Sequence, residues 1–170
     1  PVNPKQILLS LKKNIDQQRL VTQQTTSAYQ IQFGKIGMQI NDRLNYQEWI
    51  DVYKKLVHWE IELSQSDDSA MDEILAMQKE DANNAFFRFI KDHYLNWFLQ
   101  DIGERPLLSP DIFKHKIFPL LDSGKKVFVL VIDNLRFDQW RTINKVFDNY
   151  FRTESEDLYY SILPTATMYA

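Results

Sequence analysis

Lys125-Lys126-Val127-Phe128-Val129-Leu130-Val131-Ile132-Asp133-Asn134 is the stretch on which the fold turns. Val127 to Ile132 is an uninterrupted β-branched, aliphatic and aromatic run without the three-to-four spacing of an amphipathic helix. Such a run predicts a strand covered on both faces, hence parallel and central, and it stops at Asp133-Asn134. Beyond it, Trp140, Ile143 and Val146 predict a helix over Asp138 to Val146, and Leu158 to Leu163 reads as a second strand, with a shorter one around Tyr150 to Thr153. Strand, helix, strand marks the start of an α/β sheet.

Upstream of Lys125 the apolar pattern is helical. Asn3 is placed to cap a helix with Pro4 at its first position, and Ile7, Leu8, Leu11 and Ile15 then form one apolar stripe that needs a partner. A polar stretch follows, free of Pro and Gly until Tyr29, Phe33 and Ile36 resume the spacing, which predicts a long or broken helix ending near Asn41. Asn45 caps a second helix carrying Trp49, Tyr53, Leu56 and Ile61. After the polar break from Ser64 to Ser69, a third carries Ile74, Ala82, Phe86, Phe89, Ile90, Tyr94 and Trp97 and closes at Gly103 and Pro106. Ser109-Pro110 opens a short helix that ends at Ser123-Gly124. Amphipathic helices with short joins predict a helical bundle, so the chain is expected to be mostly α with an α/β segment at its carboxyl end.

Composition narrows the class. The 170 residues are 44% hydrophobic and 14% aromatic, enough for a packed core, and the formal net charge of −3 leaves no general basic surface for a nucleic-acid backbone. A dedicated DNA-binding domain is therefore not expected. Nothing approaches the roughly 20 consecutive apolar residues of a membrane helix, so no membrane insertion is expected. With no cysteine, any metal must be held by Asp, Glu, His or hydroxyl oxygen, and the expected compartment is the cytoplasm.

Two residues stand where chemistry is expected. In a right-handed βαβ unit, polar residues just past the carboxyl ends of two parallel strands meet at one edge of the sheet, and Asp133 and Thr167 hold those positions. Asp133 is either a hard oxygen ligand for zinc or another divalent ion, or a strand-end cap. Pro164 ends the last strand, and Thr165 to Ala170 reads as a helix entry. Thr165 and Thr167 are either caps for that helix or, in the case of a metal-activated hydroxyl, a nucleophile. His58, His93 and His115 have no second ligand at helical spacing, Asp67-Asp68 and Glu154 to Asp157 read as solvated caps, and Arg136 reads as a surface residue.

The run Val127 to Asp133, the following Asn134-Leu135-Arg136-Phe137-Asp138-Gln139-Trp140, and Ile162-Leu163-Pro164-Thr165-Ala166-Thr167 resemble the opening of a PglZ domain, a branch of the alkaline phosphatase superfamily. The resemblance implies that Asp133 binds metal, that Thr167 is the metal-bound nucleophile, and that Thr165 remains a cap. Pro1-Val2-Asn3-Pro4-Lys5-Gln6-Ile7-Leu8 resembles the junction and last helix of a response-regulator receiver domain. Receiver end, bundle and PglZ start in that order resemble the PorX-type response regulators, which act in type IX secretion in Bacteroidetes.

The boundaries implied are 1–17 for the receiver end, 18–124 for the bundle and 125–170 for a truncated PglZ start. The remaining metal ligands and the phospho-acceptor Asp would lie outside these residues, leaving this piece alone inactive. The family implies zinc, a pair of ions in the complete domain, and nucleotide or oligonucleotide substrates. The competing expectation is a signalling adaptor in which phosphorylation repositions the bundle to form a homodimer or to hold a sigma factor or histidine kinase. A third is a bundle that serves only as a spacer.

Overall fold

The computed structural model describes residues 4–66 and 68–166. The chain is mostly helical and divides into two compact units, Pro1–Ile90 and Lys91–Ala170.

The first unit is built on three helices. α1 (Pro4–Ile40) runs without a break through the polar middle that left its continuity open, because that stretch holds neither proline nor glycine to interrupt the ladder. α2 (Tyr46–Ser64) starts at Asn45, whose side chain accepts the Gln47 and Glu48 N–H groups at 2.8 and 3.0 Å. The Glu48 carboxylate returns to the Asn45 N–H at 2.7 Å, completing a capping box that satisfies donors the helix cannot satisfy itself. α3 (Ser69–Trp97) follows Asp68, whose carboxylate accepts the Met71 N–H at its own helix start and the Thr26 hydroxyl of α1.

The carboxyl half of α1 supplies Tyr29, Ile36 and Ile40 to the core, against Trp49, Val52, Leu56, Trp59 and Leu63 of α2 and Leu75, Ala82 and Phe89 of α3. Tyr29 packs on Trp59 with ring centroids 5.4 Å apart, and its hydroxyl donates to Gln78 Oε1 at 3.1 Å. Gln78 Nε2 donates in turn to the Phe33 carbonyl at 2.9 Å, so the polar atoms of this buried pair find partners. Burial pushes the Tyr29 phenol up to about 12. The amino half of α1 is different: Ile7, Leu8, Leu11 and Ile15, the stripe that needed a partner, are exposed.

In the second unit the short helix expected after Ser109-Pro110 forms in three steps: a 3-10 turn over Ser109–Asp111, a π turn over Phe113–Ile117, and α4 (Phe118–Asp122). Pro119 explains the wide turn. It has no N–H to give to the His115 carbonyl, and the Phe118 N–H reaches back instead to Phe113 O. α4 ends in a Schellman motif: Gly124, at φ 78°, lets its own N–H reach Leu121 O at 2.9 Å and the Lys125 N–H reach Leu120 O at 3.2 Å. α5 (Phe137–Phe147) covers the helix expected over Asp138 to Val146.

The expected strands are not formed. Among the described residues there is no strand ladder, only isolated parallel bridges at Ile102–Arg105 and Leu108–Tyr160. The Val127 to Ile132 run, expected to be covered on both faces, is unpaired, with Phe128, Leu130 and Val131 89%, 81% and 84% exposed. The reason is the non-local nature of β-structure: a parallel strand acquires its hydrogen bonds and its burial from neighbours, and no described segment forms a bridge with this one. The same holds for Tyr150 to Thr153, whereas Leu158 to Leu163 keeps a single bridge at Tyr160.

Candidate functional site

Asp133 sits at the end of the apolar run and is exposed. Its Oδ1 accepts the N–H of Asn134 at 2.9 Å, and Asn134 turns the chain with φ 58°, a left-handed conformation that asparagine tolerates better than most residues. The turn leads to Arg136, whose guanidinium grips Asp138 through both ends, Nε to Oδ1 at 2.9 Å and Nη2 to Oδ2 at 2.6 Å. This hydrogen bond holds the Asp138 carboxyl down at about 2. Gln139 Oε1 accepts the Arg136 N–H at 3.1 Å, closing the start of α5. Arg136 is thus engaged in a local pair, in keeping with its reading as a surface residue.

The segment that leads to the threonines is held more firmly. Lys116 meets Asp157 at 2.7 Å, and the Trp140 indole N–H reaches Glu156 at 2.9 Å. Tyr160 exchanges hydrogen bonds with Leu107 O and the Ser109 N–H at 2.9 and 3.0 Å, while its ring meets Trp97 edge-on at 5.1 Å. Farther along, the Ile162 N–H donates to Ser109 Oγ at 3.3 Å and the Leu163 N–H to the Tyr94 hydroxyl at 2.6 Å. Thr165 follows Pro164 and is exposed; Thr167 lies outside the described residues, as does the greater part of the helix entry expected over Thr165 to Ala170. Asp133 is therefore placed, and its meeting with Thr167 at a common sheet edge stays an expectation of the sequence. Among the described residues no three His, Asp or Glu side chains come together as a metal-binding group.

The Leu107 to Ser109 side of this arrangement is fixed by an ion pair. Arg105 Nη1 and Nη2 meet the Asp111 carboxylate at 2.6 and 3.2 Å, and Asp111 Oδ2 also accepts the Leu108 N–H at 3.0 Å. The Arg105 hydrogen bond holds the Asp111 carboxyl below the usual carboxylate range. A carboxylate whose folded pKa is depressed stabilises the fold fully above its unfolded pKa, near 4, and that contribution is lost as pH falls through the folded pKa. The melting temperature of the wild type should therefore fall more steeply than that of Asp111→Asn below about pH 4. Parallel acid limbs in the two thermal denaturation series would contradict this assignment.

Helical spacing already marks Tyr94 and Trp97 as one face of a helix, and Ser109 as the start of another. Their grip on Tyr160 to Leu163 has no signal in the sequence, since the partners lie far apart along the chain and meet only in the fold.

Comparison with known families matches the chain in two parts. Residues 19–98 match the PorX response regulator linker domain, and residues 112–170 match the BREX system PglZ alkaline phosphatase-like domain. No curated protein matches the chain. The first match covers the helices that build the bundle, the second the segment carrying Asp133 and the threonines, and in that order they are the linker and the PglZ domain of a PorX-type response regulator.

Proposed function

We propose that the PglZ domain of this response regulator is a zinc-dependent phosphodiesterase acting on nucleotide or oligonucleotide substrates, and that the regulator controls type IX secretion. The observation that carries the reading is the match of residues 112–170 to an alkaline phosphatase-like domain, across Asp133 and the Pro164-Thr165-Ala166-Thr167 sequence. The chain's donors fit zinc in kind: Asp133 offers a hard carboxylate oxygen on an exposed turn, and Thr167 a hydroxyl. They do not suffice in number, because a zinc ion takes about four ligands, so these two would be part of a larger set.

Zinc, when bound, supplies Lewis-acid stabilisation for the charge on phosphoryl and threonine oxygens. Thr167 gives up its hydroxyl proton and its oxygen attacks phosphorus in line; the bond to the departing alcohol oxygen breaks, and that oxygen takes a proton. A phosphodiester of Thr167 remains. Water then attacks the same phosphorus, the bond to the threonine oxygen breaks with return of a proton to Thr167, and a phosphate monoester leaves.

The test is metal content together with hydrolysis of a generic phosphodiester by the full-length protein. Asp133→Ala should lower bound zinc and, with it, turnover, and added zinc should restore neither fully. A metal content equal to wild type would remove Asp133 from the ligand set.

A second reading is supported by the exposed apolar stripe on the amino half of α1 and by the linker match. In it the bundle is an adaptor that, once a histidine kinase has phosphorylated the receiver, dimerises or holds a sigma factor in the cytoplasm. No helix among the described residues is long and apolar enough to cross a membrane. Capture of the sigma factor by phosphorylated Thr167→Val protein, without hydrolysis, would favour this reading over the first.

A further inference from the structure

We infer that Tyr94, on the last turn of α3, is a positioning residue for the chain that carries Thr167: its hydroxyl accepts the Leu163 N–H and fixes the backbone just ahead of the threonines. The inference rests on the proposed nucleophilic role of Thr167.

The backbone donors of Tyr160, Ile162 and Leu163 change the kind of partner along the segment. Tyr160 N–H is taken by a backbone carbonyl, that of Leu107. Ile162 N–H is taken by a side chain, Ser109 Oγ, and Leu163 N–H by another, the Tyr94 hydroxyl. Strand-like pairing thus ends at Tyr160, and side-chain oxygens carry the register onward. Pro164 has no N–H, so Leu163 is the last backbone donor before Thr165 by which the fold can hold this strand of chain. That makes the Tyr94 bond the closest described grip on the threonine segment.

The grip is itself braced. The Tyr94 ring meets Phe98 edge-on at 5.1 Å and Trp97 at 6.0 Å, and Trp97 is buried against Tyr160. The phenol is therefore held by the Trp97 ring of its own helix and by Phe98 just past the helix end, while its oxygen reaches the other segment. In-line attack on phosphorus tolerates little misplacement of the attacking oxygen, and a displacement of about 1 Å can cost on the order of a hundred-fold in rate. A single hydrogen bond at the base of the nucleophile's segment has a smaller but measurable share in that placement.

Tyr94→Phe in the full-length protein tests this, since it keeps the ring packing and removes only the acceptor. The expected result is a roughly three- to ten-fold fall in kcat with KM and zinc content unchanged, the size of one lost hydrogen bond. Amide exchange in a peptide covering Tyr160 to Ala166 should quicken by a similar factor, while exchange in α2 stays as in wild type. Tyr94→Leu, which loses ring and hydroxyl, should do no better than Tyr94→Phe, and Ser109→Ala should quicken exchange in the same peptide. Unchanged exchange in Tyr94→Phe overturns the tether, and quickened exchange with unchanged kcat overturns its role in positioning. Should wild type hydrolyse no phosphodiester at all, the proposed activity fails and the positioning role falls with it, whereas the exchange measurement separately decides whether the tether exists.

Discussion

Thr167→Val should abolish turnover, lowering kcat by on the order of a thousand-fold or more, the scale of losses seen when a covalent nucleophile is removed. Valine replaces the hydroxyl with a methyl group at nearly constant shape, so the substitution removes the reacting oxygen with little change in the volume to be packed. No other atom of the residue can form the bond to phosphorus. Thr165→Val is the matching control, because Thr165 is read as a cap; it should lose at most a few-fold. Acid quenching during turnover and mass analysis of the peptide containing Thr167 should reveal threonine joined through a phosphodiester to the retained part of the substrate in the wild type, and no such adduct in Thr167→Val. Wild-type rates in Thr167→Val would end the nucleophile assignment, whatever the metal content.

The largest expected effect on stability is in the first unit. Leu63, in the last turn of α2, is 0% exposed, and Leu63→Ala should destabilise the bundle by about 3 kcal/mol, combining the lost burial with the cavity left behind. Leu9, on the amino half of α1, is 74% exposed, and Leu9→Ala should change stability by less than about 0.5 kcal/mol. The two leucines lie on helices of the same unit and differ in their surroundings, so the pair isolates burial from helix propensity. Urea unfolding followed by amide exchange within residues 29–63 measures both. Equal losses in the two variants would mean that the face of α1 carrying Leu9 is covered in solution.

These contrasts also mark what the sequence can convey. Asn45, Ser123-Gly124, and the spacing of Trp49 and Leu56 each act within a turn or two of chain, and the ends and faces they specify form where the pattern predicts. The continuity of α1 was less legible because its middle is polar, and only the absence of a breaker argued for it. Val127 to Ile132 has a clear propensity and no local means of satisfying it, so its pairing depends on neighbours that propensity does not name. Of the site, Asp133 was legible as a carboxylate at a strand end, and Thr167 became a nucleophile only through family resemblance. Tyr94, Trp97 and Ser109 were legible as parts of helices and not as the residues that hold Tyr160 to Leu163, because contacts across such separations leave no periodic trace.

The exposed run from Val127 to Ile132 has a consequence for handling the protein. It contains no charge, proline or glycine, and an unpaired segment of this composition is a template for edge-to-edge association with other copies. The charges that border it, Lys125 and Lys126 on one side and Asp133 on the other, oppose such stacking by like-charge repulsion between aligned chains. Asp133 would then keep the polypeptide dispersed as well as serve a metal, and replacing it removes the sole guard on that flank. Protein lacking this carboxylate should be checked for aggregates by light scattering before any loss of zinc or activity is ascribed to the missing ligand.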